Sequence, residues 1–418
     1  PLLPSDDPVL KGLGLSARGR DDGRTMTEKL GIHNIRLYSI SLGNAADIEA
    51  TKKILRRAHE LYGIRVIVGH WAGLWTQPGS PELSENTPEG QRKVADSVMQ
   101  MVRTYALEPW VLYWDLSNEN NYHVQGGPHS WKVLPLGRSG YFDFMTELAV
   151  AAKWQERQLS TSGHPVYHPV LLGNGGVSSS DMRTVSDLNK KWANELNGEN
   201  PWDGVGATFY PGVNFGNETF NTREVGQALS SAFQTAQSFG LPLAFTEIGI
   251  WAKDSTLDTQ ARYYGAMVST LTTNHWSVGA TAFEETDEDW KPRESGRQTE
   301  GQFGLMNQNG QPKFFAQQGA FSKWPWDAKT PSYEFPPALN PLPKKPSFLE
   351  PGGTRPTRGN SQPEKASASS GESQDLRALG RAGQYSDSQW KSKASWYDFV
   401  SGANDGSNGT LKLKNGDV

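Results

Sequence analysis

From Val9 to Phe321 short apolar runs alternate with longer amphipathic segments, and few folds accept such a pattern over that length. The runs are Val9–Leu15, Ile35–Ile40, Arg65–Val68, Val111–Leu116, Val170–Leu172, Gly204–Phe209, Leu243–Ile250 and Val278–Phe283. Continuous apolar runs of this length fit strands buried on both faces, as in a parallel sheet. Between them Ile48–Tyr62, Gln91–Tyr105, Phe142–Leu159, Asp181–Leu196, Arg223–Phe239 and Thr259–Thr273 have helical spacing. In the first of these, Ile48, Leu55, Ala58 and Tyr62 follow one another at intervals of seven, three and four. A short helix around Thr25–Leu30 and a modest one around Phe314–Phe321 complete the series. Gly63, Gly163, Gly198 and Gly240 each follow a helical stretch, where a left-handed cap needs no Cβ. Eight strands in strict alternation with eight helices is the count of a (β/α)8 TIM barrel, whereas a doubly wound open sheet more often has six strands. The predicted fold class is therefore α/β, a (β/α)8 barrel.

The pattern stops near Trp326. Prolines crowd Pro331–Pro346, and Gly352–Ser373 is rich in Gly, Ser, Pro and Gln. Segments this poor in apolar residues do not offset their ordering entropy. The expected organisation is a barrel domain over residues 1–326 and a linker with a mostly disordered tail over 327–418. Within that tail Trp390, Trp396, Tyr397 and Phe399 mark a short docking element or the stub of a further module.

Composition narrows the chemistry. The absence of cysteine excludes a disulfide scaffold, zinc–thiolate sites and a cysteine nucleophile. A net charge of -4 does not point to nucleic acid, and no run of eighteen apolar residues is available to span a membrane. His123 and His129 lack metal-ligand spacing, Gly173-Asn174-Gly175-Gly176 is not a phosphate-binding loop, and no Gly-x-Ser-x-Gly elbow occurs. No metal and no cofactor are expected. The compositional excess is aromatic, with 15 Trp, 13 Tyr and 16 Phe, side chains whose flat apolar faces suit sugar rings as well as a core.

In a barrel the active site lies at the C-terminal ends of the strands. The fourth run ends in Trp114-Asp115-Leu116-Ser117-Asn118-Glu119-Asn120, and the seventh holds Phe245-Thr246-Glu247-Ile248-Gly249. Each sets one carboxylate at the barrel mouth. Two carboxylates flanking a bond are what glycoside hydrolysis requires, one to donate a proton and one to attack or to activate water. An isolated Asn-Glu or Thr-Glu carries little weight, but the joint placement on the fourth and seventh strands is specific.

These residues resemble the signature of clan A glycoside hydrolases. The resemblance implies that Glu119 is the acid/base and Glu247 the nucleophile of a retaining mechanism, with carboxyl groups about 5 Å apart. Phe283-Glu284-Glu285-Thr286-Asp287-Glu288-Asp289-Trp290-Lys291 is similar to a stretch of glycoside hydrolase family 17. So are Gln302-Phe303-Gly304-Leu305, Gly310-Gln311-Pro312-Lys313 and Arg36-Leu37-Tyr38. That family hydrolyses β-1,3-glucans or transfers glycosyl units between them, which makes β-glucan the expected substrate. Two departures bear on the acceptor side and on linkage preference. The family's Glu-x-Gly-Trp-Pro is Glu247-Ile248-Gly249-Ile250-Trp251 here, and Glu285-Thr286 and Asp289 stand where small, aromatic and proline residues are usual.

Further site residues follow from their place at the mouth. Asn118 is placed to donate to a sugar 2-hydroxyl, Tyr210 to hydrogen-bond Glu247, and Arg36 to keep Glu247 ionised, and Tyr38, from the Arg36-Leu37-Tyr38 resemblance, is a further substrate-binding candidate. His70 and Trp71 are candidates for a subsite wall, Glu284, Glu288 and Lys291 for sugar hydroxyls, and Trp75, Trp251 and Trp290 for stacking. Each has a structural alternative: barrel-mouth residues also form ion pairs, a lone His is often a satisfied core group, and any single Trp can be core. Two other readings stay open, a clan A glycanase acting on β-1,4-glucan or mannan, and a barrel that binds carbohydrate without turnover. A polymeric substrate implies a secreted, periplasmic or cell-wall-associated protein, expected as a monomer. The opening residues carry no charged-then-apolar leader of their own.

Overall fold

A computed structural model of the chain describes residues 2–15, 19–70, 88–120, 137–160, 166–210, 222–251, 257–272, 274, 277–288, 301–313, 345–346 and 349. In chain order the elements are α1 (Pro8–Gly12), α2 (Asp22–Arg24) running into a π-helical turn (Thr25–Leu30), β1 (Asn34–Leu37), α3 (Ala45–Tyr62), β2 (Arg65–His70), α4 (Pro88–Tyr105) and β3 (Val111–Leu116). There follow α5 (Gly137–Leu159), β4 (Val170–Asn174), α6 (Ser179–Trp192) with a 3-10 turn (Ala193–Leu196), β5 (Gly204–Phe209), α7 (Thr222–Ser238), β6 (Leu243–Ile248), α8 (Leu257–Thr272) and β7 (Ser277–Ala282). The strands form one parallel sheet in sequence order, β1 to β7. Helices alternate with them, and the whole is a near-closed barrel. Across the seam between its outer strands Asn34 Nδ2 donates to Thr281 Oγ1 at 3.3 Å.

One predicted strand is corrected. Val9–Leu15 does not extend; Pro8–Gly12 is helical, so the described residues hold seven strands. The reason is local. The Asp7 side chain accepts from the Val9 N–H at 2.8 Å, and Pro8 in the first turn has its φ preset for a helix. An apolar run preceded by Asp-Pro is a helix start before it is a strand. The fourth, seventh and eighth predicted strands are consequently β3, β6 and β7. The predicted helix at Phe314–Phe321 and the predicted tail lie outside the described residues.

Strand periodicity sorts the core into two shells. Val66, Val68, Trp114, Leu116, Val170, Leu172, Val205, Ala207 and Phe245 face the helices and pack with Val98, Phe142, Leu148, Val185, Phe233 and Met267. Burying each such side chain stabilises the fold by roughly 1.5–3 kcal/mol. The alternate residues Ile67, Tyr113, Leu171 and Ala244 form a separate small cluster inside the barrel. Two residues further along the same face come Asp115, Gly173 and Thr246. The interior is thus apolar in its lower half and polar toward the C-terminal strand ends. That change sets the place of the site.

Candidate active site

Two breaks in strand geometry bring the carboxylates to the mouth. On β6 the partner of Thr208 is Glu247, not Thr246, although Ala207 pairs with Phe245. The ladder to β7 is irregular over the same residues. This bulge inserts one residue, so Thr246 and Glu247 both leave the outward set that regular alternation would give one of them. Beyond β3 the backbone turns through left-handed conformations at Ser117 (φ 67°) and Glu119 (φ 49°). Side-chain-bearing residues hold such angles at a cost of about 1–3 kcal/mol each, and only where neighbours fix them. Asn120 is such an anchor, donating from Nδ2 to Leu116 O at 3.2 Å and Gly173 O at 2.7 Å while accepting from Tyr141 Oη at 2.5 Å.

The two carboxyl groups sit in opposite surroundings. Glu247 is 3% exposed and takes three donors: Arg36 Nη1 at 2.7 Å and Tyr38 Oη at 2.6 Å on Oε1, and Tyr210 Oη at 2.7 Å on Oε2. Such an arrangement stabilises an anion. Glu119 is 1% exposed and takes one, from Thr208 Oγ1 at 2.8 Å on Oε1, while Oε2 has no partner among the described residues. Burial, followed by the nearby Glu247 charge, pushes its pKa up to about 8, against a smaller opposing pull from Thr208 and Arg36. Glu119 therefore holds a proton at neutral pH. Environment alone thus keeps a proton on Glu119 while Glu247 faces three hydrogen-bond donors.

Arg36 joins this pair to a third carboxylate. Its Nε donates to Asp115 Oδ2 at 2.7 Å, and Nη2 reaches Asn118 Oδ1 at 3.1 Å. Burial works against the guanidinium charge, but Asp115 and Glu247 outweigh it, and the pKa rises further. Burial and then the Glu247 charge raise the Tyr38 and Tyr210 hydroxyls as well, so both phenols stay protonated donors.

The remaining candidates are placed as follows. His70 ends β2, with Nε2 2.8 Å from Ser97 Oγ, and burial lowers its pKa to about 4, so the ring is neutral. Trp251 is 7% exposed just beyond β6. Glu284 and Glu288 follow β7 and line a cavity of about 450 Å³ between β1 and β7. That cavity is walled by Arg36, Tyr38 and Glu247 and by the apolar Leu2, Met26, Leu30, Ile32 and Leu305. Trp71, Trp75, Trp290 and Lys291 lie outside the described residues. Hydrogen bonds through Glu247 and Arg36 join Tyr38, Asn118 and Tyr210, and Glu119, held by Thr208, lies close enough for the Glu247 charge to act on it. Two residues of this site, Asp115 and Thr208, escaped the sequence reading. Each is a polar residue at an inward strand position shortly before a candidate, Asp115 three residues before Asn118 and Thr208 two before Tyr210. That spacing is the signal that finds them. Among the described residues no cluster of His, Asp and Glu is arranged to hold a metal ion, and no helix is long and apolar enough to cross a membrane.

No protein-family model matches the chain, and no curated protein does. Solved structures do. A β-glucuronidase from Faecalibacterium prausnitzii is similar at 16% identity over 76% of this chain and 45% of its own, with a TM-score of 0.50. A GH5_18 protein from Streptomyces cattleya, solved with Manβ1-4GlcNAc, is 16% identical over 78% of this chain and 77% of its own, with a TM-score of 0.49. An endo-β-1,4-xylanase of glycoside hydrolase family 10 from Gloeophyllum trabeum is 16% identical over 71% and 89%, also at 0.49. The chain spans less than half the length of the β-glucuronidases it matches. At such identities the likeness is one of fold, the parallel (β/α) barrel.

Proposed function

We propose that the chain is a retaining glycosidase or transglycosidase acting on β-glucan, β-1,3-linked, outside the cytoplasm. One observation carries this reading: a buried, proton-holding Glu119 beside a Glu247 that takes three hydrogen-bond donors, at the ends of β3 and β6. Glu247 attacks the anomeric carbon while Glu119 protonates the departing oxygen. Arg36, Tyr38 and Tyr210 hold both Glu247 oxygens, which fixes the direction of attack. Once the leaving group is gone Glu119 is ionised, and it then takes a proton from water or from a sugar hydroxyl that releases the glycosyl-enzyme. The β-1,3 linkage is supported by the resemblance of Phe283–Lys291 and of Gln302–Lys313 to glycoside hydrolase family 17.

The test is product analysis by mass spectrometry after incubation with defined β-1,3-gluco-oligosaccharides, alongside Glu247→Gln. Shorter products, or products longer than the donor, that vanish in the variant are the expected result. Intact β-1,3 oligosaccharides with turnover of β-1,4-glucan or mannan would move the substrate and keep the chemistry. Affinity for glycans with no turnover of any would leave a binding barrel in its place.

A further inference from the structure

We infer that Asp115 is a positioning residue for this chemistry, acting through Arg36 on Glu247; the inference rests on the glycosidase reading above. Asp115 is fully buried on the inward face of β3. Among the described residues only one of its oxygens is engaged: Oδ2 takes Arg36 Nε at 2.7 Å and faces Nη2 at 2.6 Å, while Oδ1 has no hydrogen-bond partner there. Stability does not explain such a group. A buried carboxylate costs several kcal/mol to desolvate, and an apolar residue of similar volume commonly serves a core as well or better. Glycines face it on the neighbouring strands. A Cβ on Gly173 of β4 would meet Ser117 O at 2.4 Å and Asp115 Oδ1 at 3.0 Å, whereas one on Gly206 of β5 would be stopped by Thr246 Cγ2 at 2.7 Å, with Oδ1 at an ordinary 3.5 Å.

The arrangement has a consequence for Glu247. Arg36 is the cation shared by two buried carboxylates, with Nε and Nη2 turned to Asp115 and Nη1 to Glu247. Asp115 fixes the plane of the guanidinium, so that Nη1 reaches Oε1 from one direction. It also draws on the Arg36 charge, so Glu247 is held without being fully neutralised and keeps the electron density that attack requires. Tyr113 beside it and Glu247 opposite are the other titratable groups that sense Asp115, and the facing positions on β4 and β5 are glycines.

Asp115→Asn keeps the shape and removes the charge. The expected result is a fall of about 10- to 100-fold in kcat on the substrate the parent turns over, with KM little changed. The alkaline limb of the pH profile should also move to lower pH, because Arg36 then acts undiluted on Glu247 and Glu119. Thermal stability should be equal to the parent's or higher. Parent-like kinetics with an unmoved pH profile would overturn the inference, and so would a variant that fails to fold, since that is a structural role. A readout without turnover separates this from the function itself. The protonated-carboxyl band in infrared difference spectra that Glu119→Gln abolishes should titrate at lower pH in Asp115→Asn. If the parent cleaves no glycoside the proposed function falls, and an unshifted band would still refute the role given to Asp115.

Discussion

The barrel buries two clusters of charge, one at each end, and they are built on opposite rules. At the foot Lys153 and Arg157 of α5 meet Glu199 and Asp203, all with side chains no more than 3% exposed. Lys153 Nζ donates to Glu199 at 3.0 Å, Asp203 at 2.8 Å and Asn200 O at 2.7 Å, and Arg157 pairs with Glu199. The oxygens of Asp203 also take Tyr167 Oη at 2.6 Å and the Val170 N–H at 2.8 Å, which ties the start of β4 to the start of β5. Two cations face two carboxylates, and all four carboxylate oxygens are bonded. At the mouth Arg36 faces three carboxyl groups, and an oxygen on Asp115 and another on Glu119 lack a partner among the described residues. Balanced charge holds strands together at the foot, whereas at the mouth burial first and the Glu247 charge second make Glu119 keep its proton. On the proposed function the foot serves stability and the mouth chemistry, the division expected of a (β/α) barrel.

The largest effects lie at the mouth and should leave the fold intact. Glu119→Gln removes the acid, and kcat on unactivated glycosides should fall by about 10²- to 10⁴-fold. Aryl glycosides with good leaving groups should lose far less in the first step. In the parent the rate should hold below a pH of about 8 and fall above it, as Glu119 loses its proton. Stability has its own pH dependence. Because burial raises the pKa from 4.5, the folded chain binds this proton more tightly than the unfolded one. The advantage is complete below about pH 4.5 and lost as the pH rises through about 8. Glu119→Gln should therefore unfold at a higher temperature than the parent at pH 8.5 and show no such gain at pH 4. A variant less stable at both pH values would break the comparison, since the mouth would then hold the fold as the foot does.

At the foot the expectation reverses. Lys153→Met strands Glu199 and Asp203 without their shared cation, and breaking a buried pair in this way costs about 3–5 kcal/mol. Denaturant unfolding should show that loss, while kcat per folded molecule stays near the parent's. Replacing Lys153, Arg157, Glu199 and Asp203 together by apolar residues, so that no cation is left unpaired, should recover part of the stability. A large fall in kcat without a fall in stability would mean that the two clusters are coupled.

How much of this contrast is legible before folding depends on how local the cause is. Eight runs read as strands and seven are, because a segment buried on both faces must be apolar whatever surrounds it. Val9–Leu15 misleads because Asp7-Pro8 outweighs it from outside the run. Glu119, Glu247, Arg36, Tyr38 and Tyr210 are legible as residues that follow or end apolar runs. Their partners are less so. Nothing local ties Thr208 to Glu119, 89 positions away, or Asp115 to Arg36, 79 away. The bulge on β6 is a mismatch between strands, and Phe245-Thr246-Glu247 by itself carries no trace of it. The foot cluster escapes for the same reason, since four charged residues between 153 and 203 look like solvated faces until the sheet closes over them.

The smallest effects sharpen the contrast within the mouth itself. Tyr38 and Tyr210 hold opposite oxygens of Glu247, at 2.6 and 2.7 Å, and Arg36 backs only the first of them. Hydrogen bonds to a charged group are worth about 1.5–3 kcal/mol, so removing either hydroxyl should slow the first chemical step by about 10- to 100-fold. The two losses should differ. In Tyr38→Phe the Arg36 bond remains on Oε1, and the fall should sit at the low end. In Tyr210→Phe, Oε2 loses the hydroxyl that Tyr210 supplies, and the fall should be the larger of the two. Pre-steady-state release of an aryl leaving group measures this step directly. Equal losses would show that the donors act as one shared field around the carboxylate; a larger loss in Tyr38→Phe would mean that the attacking oxygen is Oε1, with Tyr210 serving only to hold the other.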